Sequence, residues 1–298
     1  MFSAYGPPEV LKPVETRQPE PAVGQIRVSV HAAGVQPFDC TLRRGDLARW
    51  LPIPLPSRLG NELAGTVTAV GAGVTSVAVG DEVLGWQERA CYAEQVIVPA
   101  DQVVAKPAGM PWEHAGVLSA SGQTAHTAIE TLGVGPGDTL LVHAAAGGVG
   151  SFAVQIATAL GATVIGTARP ANHDYLRSLG VIPVTYGDDL EARVRAVAPN
   201  GVTAVLDCVG GLALDQSVNL AVDPARIVTV ADRTNSQRLG IRVIGTDRTQ
   251  SRLTKLLDLY QAGKLVVHIH RTFPLSDAPL AHREVETGHV RGKVVLIR

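Results

Sequence analysis

One segment near the middle of the chain, residues 138–169, constrains the fold more than any other. The apolar run Leu140–Val142 leads into Ala145-Ala-Gly-Gly-Val-Gly150, after which apolar residues recur at helical spacing as far as Gly161. A second apolar run, residues 162–168, completes the order strand, glycine turn, helix, strand. Glycines at such a turn let the backbone approach a pyrophosphate, which the N–H groups of the helix N-terminus favour. The segment predicts the first βαβ unit of a dinucleotide-binding fold, although Ala145 replaces the first glycine of G-x-G-x-x-G.

The residues after the second strand indicate which dinucleotide is bound. Units that bind NAD usually carry an acidic residue there, which hydrogen-bonds the ribose 2′-OH. This chain has Ala168 and Arg169, and no carboxylate before Asp174. A guanidinium can form a bidentate pair with a 2′-phosphate, whereas a carboxylate would repel it. The sequence therefore predicts NADPH, and the alternative is that Arg169 is a solvated surface residue.

Hydrophobic patterning divides the rest of the chain. Alternating apolar and polar residues separated by glycine turns, from about 25 to 104, predict a small antiparallel β-domain. Alternating strand and helix patterns from about 119 to 263 predict a parallel sheet covered by helices. Strand patterns return in the last 35 residues. The predicted domains are therefore 1–118 with 265–298, and 119–264.

Net charge, apolar stretches and cysteine content indicate which partners and which cellular compartment to expect. The formal net charge of the 298 residues is −1, which gives no electrostatic reason to expect nucleic acid or an anionic membrane as a partner. No signal peptide is evident, and the most apolar stretch is interrupted by His143 and glycines. The three cysteines, Cys40, Cys91 and Cys208, are widely spaced, which is typical of a reducing compartment. The sequence predicts a cytoplasmic protein.

A set of short motifs, taken in chain order, resembles the medium-chain dehydrogenase/reductase superfamily, in its zinc-independent quinone oxidoreductase branch. The resemblance implies an α/β fold in which a Rossmann doubly wound parallel sheet is joined to a GroES-like, mostly antiparallel β-domain. The motifs are Tyr5-Gly-Pro-Pro-Glu-Val-Leu11, His31-Ala-Ala-Gly-Val35, Leu59-Gly-Asn-Glu-Leu-Ala-Gly65, Val79-Gly-Asp-Glu-Val83, Ala145-Ala-Gly-Gly-Val-Gly150 and Gly288-His-Val-Arg-Gly-Lys293.

The resemblance also bears on metal binding. Zinc-dependent relatives hold the metal with cysteine, histidine or acidic side chains, and the corresponding positions here are Gln36, Asn61 and Ala120. A catalytic zinc needs three nitrogen, sulfur or carboxylate ligands. We therefore expect no metal, and we interpret His268 and His270 as residues of an exposed edge strand.

Without a metal, the feasible chemistry is hydride transfer to an acceptor that is already electrophilic, such as a quinone or an α,β-unsaturated carbonyl. The resemblance implies that Gln36, Asp39 and Asn61 are the catalytic residues. Gln36 replaces the asparagine usual in quinone oxidoreductases, and Asp39 has the alternative role of a helix-capping acid.

The resemblance further implies a set of cofactor-binding residues. Two of these residues have an alternative interpretation: Tyr186 as an ordinary half-buried tyrosine, and Lys293 as a solvated lysine. The set is Thr124, Ala146, Gly147, Gly148, Val149, Gly150, Arg169, Tyr186, Val209, Gly210 and Lys293.

The function predicted from these residues is NADPH-dependent reduction of quinones. Two alternatives stay open: reduction of enals, enones or enoyl thioesters, and NADPH binding with little turnover. Relatives pair through the edge of the Rossmann sheet, so we expect a homodimer formed through Ile241–Gly245.

Overall fold

The computed structural model describes all 298 residues, which form two compact units. Unit 1 comprises Met1–Ala120, Thr249–Leu257 and Val267–Arg298, and unit 2 comprises Ser121–Arg248 and Asp258–Val266. None of the helices combines the length and the apolar character needed to cross a membrane.

The secondary structure alternates as the sequence patterns predict. The strands are β1 (Gln25–Val35), β2 (Leu63–Val70), β3 (Glu82–Gly85), β4 (Gln95–Pro99), β5 (Val103–Ala105), β6 (Thr139–Val142), β7 (Thr163–Thr167), β8 (Ile182–Val184), β9 (Ala204–Asp207), β10 (Ile227–Thr229), β11 (Arg242–Val243), β12 (Ile269–Pro274) and β13 (Lys293–Ile297). The helices are α1 (Pro37–Arg44), α2 (Trp112–Ala115), α3 (Ser119–Leu132), α4 (Gly148–Ala159), α5 (His173–Ser178), α6 (Leu190–Val197), α7 (Leu212–Leu220), α8 (Arg233–Leu239), α9 (Gln250–Gln261) and α10 (Ala278–Glu286).

The sheet of unit 2 is parallel throughout, in the order β8-β7-β6-β9-β10-β11. Numbered within this unit, the order is 3-2-1-4-5-6, that of a doubly wound dinucleotide fold. The central strand β6 is buried on both faces, which explains its unbroken apolar run. The order of the strands reverses between β6 and β9, and ligands bind at the carboxyl ends of the strands on either side of such a point.

The sheet of unit 1 is mostly antiparallel, in the order β12-β13-β1-β2-β3-β5, with β4 also paired to β1. The pair β12 and β13 is parallel. The strand expected from Leu265 begins only at Ile269, because the Leu265 N–H is bonded to the Leu259 carbonyl of α9. His268 therefore lies outside the strand that holds His270.

The predicted dimer contact falls on β11, which has two residues and lies at the edge of the parallel sheet. The homodimer through Ile241–Gly245 stays a prediction.

Candidate active site

The start of α1 is fixed by its sequence. Pro37 occupies the first helical position, where a missing N–H costs nothing. Asp39 lies two residues further on, and its Oδ2 accepts the backbone N–H of Gln36 at 2.9 Å. The helix ends at Gly45, whose φ of +86° favours glycine. This geometry places Gln36 and Asp39 immediately after β1.

Asp39 is fully buried and accepts hydrogen bonds on both carboxylate oxygens. Oδ1 accepts from the Gly60 N–H at 3.2 Å and from Asn61 Nδ2 at 2.8 Å, and Oδ2 also accepts from the Tyr92 hydroxyl at 3.1 Å. Burial raises the pKa of Asp39 to about 6, while the N–H groups of Gln36 and Gly60 oppose that rise. Asp39 is therefore ionised at pH 7 and serves as a common acceptor for four donors. The helix-capping alternative foreseen for Asp39 is part of this geometry.

The side chain of Asn61 is fixed at both ends of its amide. Nδ2 donates to Asp39, and Oδ1 accepts the backbone N–H of Arg89 at 3.3 Å. Arg89 adopts a left-handed φ of +54°, a conformation that a non-glycine residue holds only when its surroundings impose it. Because both ends are bonded, Asn61 presents its amide in one orientation.

A buried ion pair lies beside these residues. Glu62 Oε1 accepts from Lys293 Nζ at 3.0 Å and from Gln36 Nε2, while Oε2 accepts from the Ala120 N–H at 2.6 Å. Glu62 is 0% exposed and Lys293 only 2%. Gly34 makes room for the carboxylate, since a Cβ at this position would lie 2.0 Å from Glu62 Oε1.

Unit 1 thus brings together the three residues predicted to be catalytic. Gln36 and Asn61 are both bonded to Asp39, and Gln36 is also bonded to Glu62. Lys293 lies in this cluster as well, so the alternative of a solvated lysine is wrong; its contact with the cofactor stays a prediction.

The sequence analysis missed Glu62 and Tyr92. A single acidic residue between Asn61 and the apolar start of β2 was the available signal for Glu62.

The three positions that hold zinc in relatives do not fit a metal here. The Gln36 and Asn61 amides are bonded to carboxylates, and Ala120 contributes a backbone N–H. Across the chain, no group of three or more histidine, cysteine or acidic side chains is arranged to hold a metal ion. His268 Nε2 is 3.0 Å from Arg291 Nε, and His270 pairs with Glu284 at 2.9 Å.

In unit 2, the turn after β6 has the geometry of a phosphate-binding loop. α4 begins after Gly147 without a capping side chain, so its first N–H groups are directed at the turn. A Cβ at Gly150 would lie 2.3 Å from the Ala144 carbonyl oxygen, which explains why glycine is needed there. Ala144 has a left-handed φ of +51°. This donor set and the close backbone approach fit the pyrophosphate of a dinucleotide.

The ends of β7 and β8 carry further predicted cofactor residues. Arg169 lies two residues after the end of β7, and Tyr186, 50% exposed, lies two residues after the end of β8. Arg193 of α6 donates to the carbonyls of Thr185 and Tyr186 at 3.2 and 3.4 Å, and so holds the turn after β8. The sequence analysis missed Arg193, because nothing in a helical pattern shows which loop a side chain reaches.

At the end of β9, Asp207 is buried and anchors the next turn. Its carboxylate accepts from the N–H groups of Val209 and Gly210 at 3.0 and 2.9 Å, and from the Thr229 hydroxyl at 2.6 Å. Gly210 has a φ of +83° and no room for a Cβ beside Asp232.

Most of the predicted cofactor residues therefore follow the carboxyl ends of strands in one sheet. Thr124 differs, because it lies on α3 with its Oγ1 2.5 Å from that of Thr246.

Comparison with known proteins gives a consistent result. The model of the alcohol dehydrogenase GroES-like domain matches residues 22–108, and that of the zinc-binding dehydrogenase family matches residues 179–296. A quinone oxidoreductase of Pseudomonas aeruginosa is 31% identical over 99% of this chain and 98% of its own length. The polyketide synthase GfsB of Streptomyces halstedii is 33% identical over 92% of this chain, which spans only 5% of that protein.

Solved structures agree in fold. The quinone oxidoreductase of Coxiella burnetii is 35% identical, with a TM-score of 0.89 over 100% of this chain and 98% of that one. The Escherichia coli quinone oxidoreductase complexed with NADPH is 28% identical, with a TM-score of 0.88 and the same coverage. Together with the GroES-like and doubly wound sheets, these matches confirm the predicted fold class and indicate an oxidoreductase with a nicotinamide cofactor. The chain belongs to the quinone oxidoreductase branch of the medium-chain dehydrogenase/reductase superfamily.

Proposed function

We propose that this chain transfers hydride from NADPH to a quinone or a similar electrophilic carbonyl acceptor. Arg169 carries the cofactor assignment, because it lies two residues after the end of β7, in the region where a carboxylate would select NADH. A guanidinium pairs with the 2′-phosphate that distinguishes NADPH. The NADPH complex of the Escherichia coli relative supports the same choice.

Different residues of unit 2 bind different parts of the cofactor. The N–H groups at the start of α4 bind the pyrophosphate, and the turn of Val209 and Gly210 contacts the adenosine ribose. Arg193 keeps the Thr185–Tyr186 turn in place beside the 2′-phosphate. When bound, the nicotinamide supplies the hydride.

The substrate side is assigned to the amides of unit 1. Reduction of a carbonyl acceptor develops negative charge on its oxygen, which N–H donors held in fixed positions stabilise. Asn61 and Gln36 carry such donors, and each amide is oriented by a buried carboxylate, Asp39 or Glu62. Asn61 and Gln36 are therefore proposed as the catalytic pair, and Asp39 as the residue that positions Asn61. A quinone suits this site because its carbonyl is already electrophilic.

Oxidation of NADPH and of NADH should be followed with 1,4-benzoquinone, 9,10-phenanthrenequinone, 2-hexenal and crotonyl-CoA as acceptors. Quinone-dependent oxidation that prefers NADPH is the expected result. Activity confined to the enal or the thioester would replace the proposal with alkene reduction. Tight NADPH binding without turnover of any acceptor would favour the binding-protein alternative.

The cofactor preference has its own test. Arg169→Ala should raise the Kd of NADPH about tenfold or more and leave that of NADH nearly unchanged, because the charge-assisted pair with the 2′-phosphate is lost. Arg177→Ala is the matched control, since Arg177 is exposed and paired with Asp174 one helical turn away. An equal loss of affinity for NADPH and NADH would remove Arg169 from the 2′-phosphate site.

A further inference from the structure

His143 is a fully buried residue of unit 2 that the proposed chemistry does not use. It lies between the end of β6 and the glycine turn. Its Nε2 is 3.0 Å from Ser217 Oγ and its Nδ1 is 3.4 Å from Thr167 Oγ1. Both ring nitrogens therefore face a hydroxyl group.

The direction of each hydrogen bond follows from the partners. Ser217 Oγ donates to the Ala213 carbonyl at 2.7 Å, so its single hydrogen is already engaged. His143 Nε2 must therefore donate to Ser217, which leaves Nδ1 as the acceptor of the Thr167 hydroxyl. Burial lowers the pKa of His143, so the ring is neutral at pH 7 and can both donate and accept.

Each of these hydrogen bonds leads to a different predicted cofactor turn. Thr167 Oγ1 also accepts the N–H of Ala144 at 3.2 Å, and Ala144 is the left-handed residue that opens the pyrophosphate turn. Ser217 lies on α7, which begins directly after Gly211 and so continues the turn of Val209 and Gly210. His143 is thus the residue through which the two turns are connected by side-chain hydrogen bonds.

We propose that His143 is a positioning residue that sets the spacing between the pyrophosphate turn and the ribose turn without touching the cofactor. The proposal depends on the proposed function, because those turns are assigned to NADPH there. A ligand that spans both turns needs the correct spacing, whereas a ligand that contacts only one does not. This difference separates positioning from a general contribution to stability.

The test compares His143→Phe, which keeps a ring and removes both hydrogen bonds, with His143→Gln, which restores a donor toward Ser217. Binding of NADPH and of adenosine 2′-monophosphate is measured by titration, and thermal unfolding is recorded for each variant. His282→Phe is the matched control: His282 is equally buried, lies in unit 1, and has no hydrogen-bond partner on either ring nitrogen.

We expect His143→Phe to raise the Kd of NADPH about tenfold, the equivalent of one lost hydrogen bond, and that of the monophosphate about twofold at most. His143→Gln should recover part of the loss, and His282→Phe should bind NADPH as the wild type does. Equal weakening of both ligands, or an unchanged Kd, would overturn the proposal. If His143→Phe does not fold, Ser217→Ala removes the same connection. The same comparison then applies: the Kd of NADPH should rise more than that of adenosine 2′-monophosphate.

Nuclear magnetic resonance of the wild-type protein gives a readout that needs no cofactor. The expected tautomer of His143 carries its proton on Nε2, and a proton on Nδ1 would contradict the inferred hydrogen-bond direction. Failure of the wild type to bind NADPH would instead refute the proposed function, so the two failures are distinguishable.

Discussion

The hydroxyl of the half-buried Tyr92 donates to Oδ2 of the fully buried Asp39 at 3.1 Å. Burial raises the pKa of both groups, to about 6 for Asp39 and well above the usual value for Tyr92. At pH 7 the carboxyl group is therefore ionised and the phenol is not. The pair behaves as a neutral donor and a charged acceptor, an arrangement in which a hydrogen bond is stronger than between two neutral groups.

The raised pKa of Asp39 predicts a pH dependence of stability. Asp39 binds its proton more tightly in the folded state, about pKa 6, than in the unfolded chain, 3.8. The tighter proton binding of Asp39 thus stabilises the folded state by its full amount, about 3 kcal/mol, below pH 3.8. This stabilisation is lost as the pH rises through 6. Urea unfolding of wild type and Asp39→Asn between pH 3.5 and about 8 checks this.

The expected result is that the wild type loses stability relative to Asp39→Asn between pH 4 and 6, with a constant difference above pH 7. Asp101→Asn, which changes an exposed carboxylate of the same unit, serves as the control. A difference that does not vary with pH would show that Asp39 titrates normally.

Tyr92→Phe should move that pH window upward. The Tyr92 hydroxyl lowers the pKa of Asp39, so its removal lets the pKa rise further above 6. The free energy of unfolding should also fall by about 1.5–3 kcal/mol at pH 7, the value of a hydrogen bond to a charged group. Tyr5→Phe is the comparison, since Tyr5 packs against Phe2 in the same unit. A window that stays in place would mean that the hydroxyl does not stabilise the Asp39 carboxylate.

The ion pair between Glu62 and Lys293 predicts strong coupling. Lys293→Met should lower the free energy of unfolding by about 3–5 kcal/mol, because it leaves a buried carboxylate without a counter-charge. Glu62→Gln combined with Lys293→Met should recover much of that loss, and a double-mutant cycle by urea unfolding measures it.

The exposed pair Arg177 and Asp174 is the control for this cycle, with a coupling of about 0.5 kcal/mol or less. If the buried pair showed equally small coupling, water would have to reach Glu62.

Gly150→Ala should destabilise the protein and weaken dinucleotide binding together. The new Cβ would lie 2.3 Å from the Ala144 carbonyl oxygen and 2.8 Å from the Ala145 Cα, so the turn must shift. Gly135→Ala is the matched variant, because its Cβ meets no atom within 4 Å and its φ is not left-handed. It should leave NADPH binding unchanged and stabilise the protein by about 0.4–1 kcal/mol. Equal NADPH affinity in both variants would contradict the role of Gly150.

The parallel sheet was predictable from sequence because short apolar runs, such as Leu140–Val142, alternate with helical patterns. The same logic placed α4, predicted to run as far as Gly161, within a few residues of its observed end at Ala159. It failed at Leu265–His268, where an apolar, β-branched run follows α9 as an irregular segment instead of forming a strand. A hydrogen bond to Leu259 decides that outcome, and no local pattern encodes it.

The site was only partly predictable. Gln36, Asp39 and Asn61 were identified because motifs mark their positions. Glu62 and Lys293 lie far apart in sequence, and the pairing of β1 with both β2 and β13 brings them into one cluster. His143 was noted only as an interruption of an apolar stretch, and its hydrogen bond to Ser217 gave no signal in the sequence, because the two residues are 74 positions apart.

The absence of a side chain at Gly34 limits the substitutions that the protein can accept at this position. The Glu62 carboxylate occupies the space that any larger residue at position 34 would fill. Even one added methyl group would expel the carboxylate from its place, and with it the partner of Lys293 and of the Gln36 amide. The residue at position 34 and the acid at position 62 are therefore coupled: a larger residue at 34 forces Glu62 to move away from Lys293 and Gln36.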